Sequence, residues 1–260
     1  MKVVLFCGGY GTRLREFSET IPKPLVPIGN MPILWHLMKY YAHFGHKEFI
    51  MCLGYQGHMI KEFFLNYDDC LSNDFTYSRG GKDIDLHGRD ISDWIIDFVD
   101  TGLESNIGQR LLRVREHVEN EDVFLANYSD GLTDLPLDTH IQKFMDSGAV
   151  ASFVGVRPSN TLSGTVIRDD GLVLSIQYLS QELFINGGFF ILGNRIFDYI
   201  GDGDELVERP FQRLIKEKKL FAYKYPGFWS AMDTFKDKKR FDDMYARGDR
   251  PWELWQQSRC

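Results

Sequence analysis

The start of the chain limits its fold more than any other part. A short apolar run, Val3 to Cys7, breaks into Gly8, Gly9, Tyr10, Gly11, Thr12 and Arg13, and Lys23 and Pro24 follow downstream. An apolar strand that ends in glycines lets the backbone come close to a charged ligand, and its N–H groups can point at phosphate oxygens with no side chain in the way. Arg13 adds a planar, permanently charged fork, and Lys23 a compact charge on a flexible stem. Together they suit a nucleoside triphosphate. Taken alone, the same residues also read as a glycine-rich turn with two solvated cations.

Two common phosphate motifs are excluded. The dinucleotide fingerprint needs a third glycine and an acidic residue after the second strand, but the strand at Phe49 to Leu53 runs into Gly54, Tyr55, Gln56 and Gly57. A nicotinamide-dependent oxidoreductase is therefore not expected. A Walker loop needs Gly-Lys-Ser/Thr, whereas this chain has Gly11-Thr12-Arg13.

Strand signals at Lys2 to Cys7, Phe49 to Leu53, Trp94 to Val99 and Val123 to Asn127 alternate with helical patterns. In the first helix, Asn30 is the expected N-cap and Pro32 lies in the opening turn, with Ile33, Leu37, Tyr41 and Phe44 on one face. A later helix places Ile107, Leu111, Val114 and Val118 on its apolar stripe, which leaves Arg110 off the stripe and available to a ligand. The rhythm predicts a Rossmann-like α/β fold, a mostly parallel sheet flanked by helices. Residues 67 to 93 form a polar excursion, a hairpin or an arm that touches a neighbouring subunit, so a homo-oligomer is expected. From Val150 the chain is richer in strands: Ala151 to Val156, Gly164 to Ile167, Leu172 to Gln177, Phe184 to Leu192 and Leu220 to Tyr225, then a helix from Thr234 to Tyr245. No linker composition interrupts the 260 residues. One domain is expected, with a nucleotide-binding half over 1–149 and an acceptor-binding half over 150–260.

Composition narrows the partners. A net charge of −7 argues against a broad basic face for nucleic acid. No apolar run reaches the roughly 20 residues of a membrane span, and the N-terminal run is too short for a signal peptide, so a cytoplasmic location is expected. Cys7, Cys52, Cys70 and Cys260 show no metal or redox spacing, and neither do the histidines.

Local chemistry must then carry the function. The fourth strand ends in Ser129, Asp130 and Gly131, at the edge where open α/β sheets bind ligands. Far downstream, Asp233 precedes the last helix. If the two carboxylates meet near the glycine loop, they suit Mg²⁺, which takes few protein ligands and leaves the rest of its shell to phosphates and water. Separately, Asp130 also reads as a turn former, Asp233 as an N-cap, and Asn186-Gly187-Gly188 as a bulge within a strand.

The joint order decides between these readings. Gly-Gly-x-Gly-Thr-Arg-Leu, then Pro22-Lys23-Pro24, Asp130-Gly131, Asn186-Gly187-Gly188 and Trp229-x-x-Met232-Asp233-Thr234 resembles the sugar-1-phosphate nucleotidyltransferase family along almost the whole chain. Pro32 to His36, Asp100-Thr101-Gly102, Gly108 to Leu111 and Gly227-Phe228-Trp229 point to its glucose-1-phosphate cytidylyltransferase branch. The resemblance implies in-line attack by a sugar 1-phosphate on the α-phosphorus of a nucleoside triphosphate, CTP in that branch, with release of pyrophosphate. It implies that Gly8, Gly9, Gly11, Thr12, Arg110 and Ser129 line the nucleotide, and that Arg13 and Lys23 are catalytic and neutralise the phosphates. It further implies that Asp130 and Asp233 hold Mg²⁺ and that Tyr128, Asn186, Gly187 and Trp229 bind the acceptor. A nucleotide-binding regulatory protein that has lost activity is the alternative, and the joint presence of Arg13, Lys23, Asp130 and Asp233 weighs against it.

One departure stands out. Where relatives carry Glu-Lys-Pro, this chain has Tyr178-Leu179-Ser180, and the segment leading to Ile185 and Asn186 is shorter. The expectation is an altered acceptor site, with Arg157 or Arg168 as the substitute cation and glucose 1-phosphate as a poor substrate.

Overall fold

In the computed structural model, residues 1–11, 20–88, 90–158, 163–178 and 183–257 are described. The strand Val3–Phe6 (β1) is buried along its whole length. Its parallel neighbours are Glu48–Leu53 (β2) on one side and Val123–Tyr128 (β4) on the other, and Ile95–Asp100 (β3) pairs parallel to β2. Beyond β4 the sheet turns mixed. Phe190–Gly193 (β7) runs antiparallel to both β4 and Ala151–Val156 (β5), while Leu220–Tyr225 (β8) lies parallel to β5 along its full length. The short strand Ile185–Asn186 (β6) pairs antiparallel with the carboxyl end of β5. The eight strands give the order β3-β2-β1-β4-β7-β5-β8, with β6 beside β5.

Both faces of the sheet are covered, so the central strands are continuously apolar instead of alternating with polar residues. Val3, Leu5, Phe49 and Met51 point into one core with Ile33, Leu37 and Tyr41 of the helix Ile33–His43 (α1). Val4, Phe6, Ile50 and Cys52 point into the other, against Leu111 of the helix Ile107–Arg113 (α2) and Phe211 of Arg209–Lys216 (α3). Each fully buried side chain of this size contributes roughly 1.5–3 kcal/mol. Among the described residues, no helix is long and apolar enough to cross a membrane.

Two expectations need correction. Asn30 does not cap α1: it sits in the turn between the short strands Pro27–Ile28 and Met31–Pro32, and Pro32 is the N-cap, with no side-chain cap. The stretch from Phe184 to Leu192 is not one strand. It follows the edge of β5 as β6 and β7, interrupted at Gly187–Phe189 where Gly188 and Phe189 adopt positive φ. The helix Phe235–Ala246 (α4), which a short helix, Leu254–Gln257, follows, is capped by Thr234 in a capping box with Asp237, which sets aside the alternative reading of Asp233 as its cap. The 67 to 93 excursion does hold a hairpin, Phe75–Ser78 against Asp83–Leu86.

Candidate active site

The carboxyl ends of β1 and β4 and the start of α2 open onto a cavity of about 300 Å³ whose lining includes Gly8, Gly9, Gly11, Lys23, Arg110, Tyr128, Ser129, Asp130 and Asp233. Thr12 and Arg13, and with them Leu179 and Ser180, lie outside the described residues.

The loop is held from beneath. Arg110 is buried, and its guanidinium donates to the carbonyl oxygens of Gly8 and Leu53 at 3.0 Å, of Gly102 at 3.0 Å, and to Thr101 Oγ1 at 2.7 Å. Burial lowers its ordinary value. Arg110 is thus buried instead of standing off the stripe: its terminal nitrogens are engaged by Gly8 past β1, Leu53 of β2 and Thr101 and Gly102 past β3, which ties those strands to α2, while the residue still lines the cavity. Gly8 is required for this approach, because a Cβ there would lie 2.1 Å from Arg110 Nη1. Gly11 adopts φ +62, the left-handed region that favours glycine.

Lys23 starts a 3₁₀ turn, Lys23–Leu25, between Pro22 and Pro24. Pro22 accepts from Leu25 N at 2.8 Å and Lys23 O from Val26 N at 3.1 Å. This fixed backbone aims the ammonium at two carboxylates, Asp130 Oδ2 at 2.5 Å and Asp233 Oδ1 at 2.8 Å. Burial opposes the charge on Lys23, but the two carboxylates outweigh it and hold its pKa above the ordinary lysine value.

A short ribbon brings the remote carboxylates together. Gly131–Thr133 pairs antiparallel with Trp229–Ala231, and Met232 N then donates to Asp130 O at 2.9 Å, which sets Asp233 beside Asp130. Among the described residues, no group of three or more His, Cys, Asp or Glu side chains gathers in a metal-ligating cluster. A pair of carboxylates already gripping an ammonium still fits a hard cation that takes most of its shell from phosphate and water.

Ser129 Oγ donates to Phe6 O at 2.9 Å, clamping β4 to β1 at the cavity rim. Tyr128 is raised above its ordinary pKa by burial and lies against Asn186. Asn186 Oδ1 accepts from Gly188 N at 2.9 Å, and Trp229 Nε1 donates to Gly187 O at 2.8 Å, so the four expected acceptor residues do assemble next to the carboxylates. Sequence reasoning missed Ser105, Asn106 and Glu205, which also line the cavity. Asn106 forms a capping box with Gln109, a readable signal at that spacing, while Glu205 accepts from Ile107 N at 3.1 Å and carried none. Arg168 pairs with Asp170 at the tip of the ribbon Ser163–Ile167 and Val173–Tyr178. Cys7 is pushed up to about 12 by burial and stays a neutral thiol.

A glycine loop at the carboxyl edge of a doubly covered sheet, facing a lysine between two carboxylates, defines an enzyme that handles nucleotide phosphates. Residues 2–205 match the nucleotidyl transferase family model, and the chain belongs to that family. It is 38% identical over 98% of its length to the whole glucose-1-phosphate cytidylyltransferase of Salmonella typhimurium, and 37% identical over 98% to the whole probable glucose-1-phosphate cytidylyltransferase of Bacillus subtilis. Among solved structures, HddC from Yersinia pseudotuberculosis shares the fold with a TM-score of 0.65 at 22% identity, over 94% of this chain and 99% of that one. The protein is accordingly a nucleotidyltransferase.

Proposed function

We propose that this enzyme transfers the cytidylyl group of CTP to glucose 1-phosphate, giving CDP-glucose and pyrophosphate. The observation that carries the reading is the Lys23–Asp130–Asp233 cluster facing the glycine loop, in a chain whose full-length relatives bear that activity in their names.

An acceptor phosphate oxygen forms a bond to the α-phosphorus while the bond from that phosphorus to the bridging oxygen breaks, and the pair of electrons leaves with pyrophosphate. A sugar phosphate is already ionised at neutral pH, so no side-chain base is needed, and the work of the protein is positioning and charge neutralisation. Gly8, Gly9 and Gly11 let the backbone approach the phosphates. Lys23 exchanges its carboxylate partners for phosphate oxygens and stabilises the charge that develops there. Asp130 and Asp233 would hold Mg²⁺, which supplies Lewis-acid neutralisation of the phosphates. Arg110 acts through the Gly8 carbonyl as a support for the loop. Tyr128, Asn186, Gly187 and Trp229 receive the acceptor, and Thr12 and Arg13 are assigned to the nucleotide by resemblance alone.

An assembly of like chains is part of the proposal, supported by the exposed Phe75, Tyr77 and Ile84 on the hairpin; sedimentation of a monomer would remove it. Pyrophosphate release with a matrix of triphosphates and sugar phosphates tests the reaction, and no release with any pair would favour the inactive regulatory alternative.

A further inference from the structure

Between Gly8 and Gly11 only Tyr10 carries a side chain, yet the cavity is lined by Gly8, Gly9 and Gly11 and not by Tyr10. The side chain turns the other way, toward the loops that follow β2 and β3. Its ring packs on Tyr55 with centroids 5.2 Å apart at 40°, and its hydroxyl donates to Glu104 Oε1. Tyr55 adds a second tie, because its N–H donates to Gly8 O at 3.2 Å. Gly54 permits that approach: a Cβ there would stand 2.8 Å from Gly8 O.

Glu104 stands on a braced loop. Arg110 donates to the carbonyl oxygens of Gly102 at 3.0 Å and Leu103 at 3.3 Å, Ser105 Oγ donates to Thr101 O at 2.5 Å, and Gly102 N donates to Asp100 Oδ1 at 2.9 Å. Beyond Gly8 the glycine loop shows no bracing of that kind among the described residues. A Cβ at Gly9 would meet nothing within 4 Å, and Gly11 takes φ +62. Glycines lose more backbone freedom on ordering than any other residue, so a loop left loose would bear that cost when its ligand arrives. Backbone donors held in place beforehand need no such reorganisation.

We infer that Tyr10 is a positioning residue, which through Tyr55 and Glu104 fixes the tip of the glycine loop before the triphosphate binds. It acts from outside the cavity, through the backbone it carries. The phenol suits the task. Its hydrogen bond to Glu104 raises its pKa above the ordinary tyrosine value, so it stays a donor, and a bond to a carboxylate is stronger than one between neutral groups. The aromatic pair adds a contact that water does not replace. The inference rests on the glycine loop as the holder of the triphosphate.

The test is calorimetric binding of CTP without metal, which needs no turnover, with steady-state kinetics beside it. Tyr10→Ala is expected to weaken CTP binding and raise KM for CTP about tenfold, while KM for glucose 1-phosphate stays within about twofold of wild type. The unfolding midpoint should not move, since the side chain is 41% exposed. Tyr10→Phe keeps the ring and loses the hydroxyl, so it and Glu104→Ala should each weaken CTP binding about threefold, and the double variant should be no weaker than either, as one shared contact requires. Glu104→Gln, which keeps an acceptor, should bind close to wild type. Unchanged CTP binding in Tyr10→Ala, with or without a loss of stability, would overturn the inference, and so would losses that multiply in the double variant. A wild-type chain that binds another triphosphate with this dependence on Tyr10, but not CTP, would uphold the inference and overturn the choice of CTP.

Discussion

The ammonium of Lys23 lies 2.5 Å from Asp130 Oδ2, although the two residues are 107 positions apart. Lys23 hangs from a proline-braced turn and Asp130 from the end of a buried strand, so neither can drift far from the other. The same ammonium reaches Asp233 at 2.8 Å. A cation is therefore built into the carboxylate pair, and it is the group best placed to turn toward phosphates.

Lys23→Ala is expected to lower kcat about a hundredfold, on the order of 3 kcal/mol of transition-state stabilisation, as for other preorganised donors. The fold should survive, because what is lost is a contact at the cavity rim. Turnover near the wild-type level would remove Lys23 from the mechanism.

Asp130→Asn and Asp233→Asn should each abolish Mg²⁺-dependent pyrophosphate release, since an amide lacks the charge that holds a hard cation. Binding of metal-free nucleotide should change far less. Titrating activity against Mg²⁺ in each variant reads this directly, and an unaltered metal response in both would return the two aspartates to structural roles.

Arg110→Ala should destabilise the fold, on the order of 3 kcal/mol, because the carbonyls of Gly8, Leu53 and Gly102 lose a buried donor. Denaturant unfolding measures it. A variant of wild-type stability whose only defect is nucleotide affinity would instead support the ligand-contact role read from the helix stripe.

The difference between those two roles marks where the sequence was legible. The apolar run Val3 to Cys7 and the glycines after it could be read because composition alone separates a buried strand from a close-approach loop. Arg110 could not. Periodicity places Ile107, Leu111, Val114 and Val118 inside, but what decides the fate of Arg110 is a set of carbonyls contributed by the ends of other strands. Asp130 and Asp233 could each be picked out, yet their meeting depends on the ribbon of Gly131–Thr133 and Trp229–Ala231, whose strands are too short to carry an alternation. The break at Gly187–Phe189 was signalled by Asn186-Gly187-Gly188, which reads as a bulge within a strand, but the positive φ of Phe189, a residue type that rarely adopts it, was not.

The central claim is the transfer of a cytidylyl group to glucose 1-phosphate, and kcat/KM for pyrophosphate release from CTP with that acceptor tests it most directly. A value in the ordinary enzymatic range of roughly 10⁴ to 10⁸ M⁻¹s⁻¹, with the other triphosphates well below it, is the expected result. A markedly lower value beside an efficient reaction with another sugar phosphate would contradict it and restore the altered acceptor site expected from Tyr178-Leu179-Ser180.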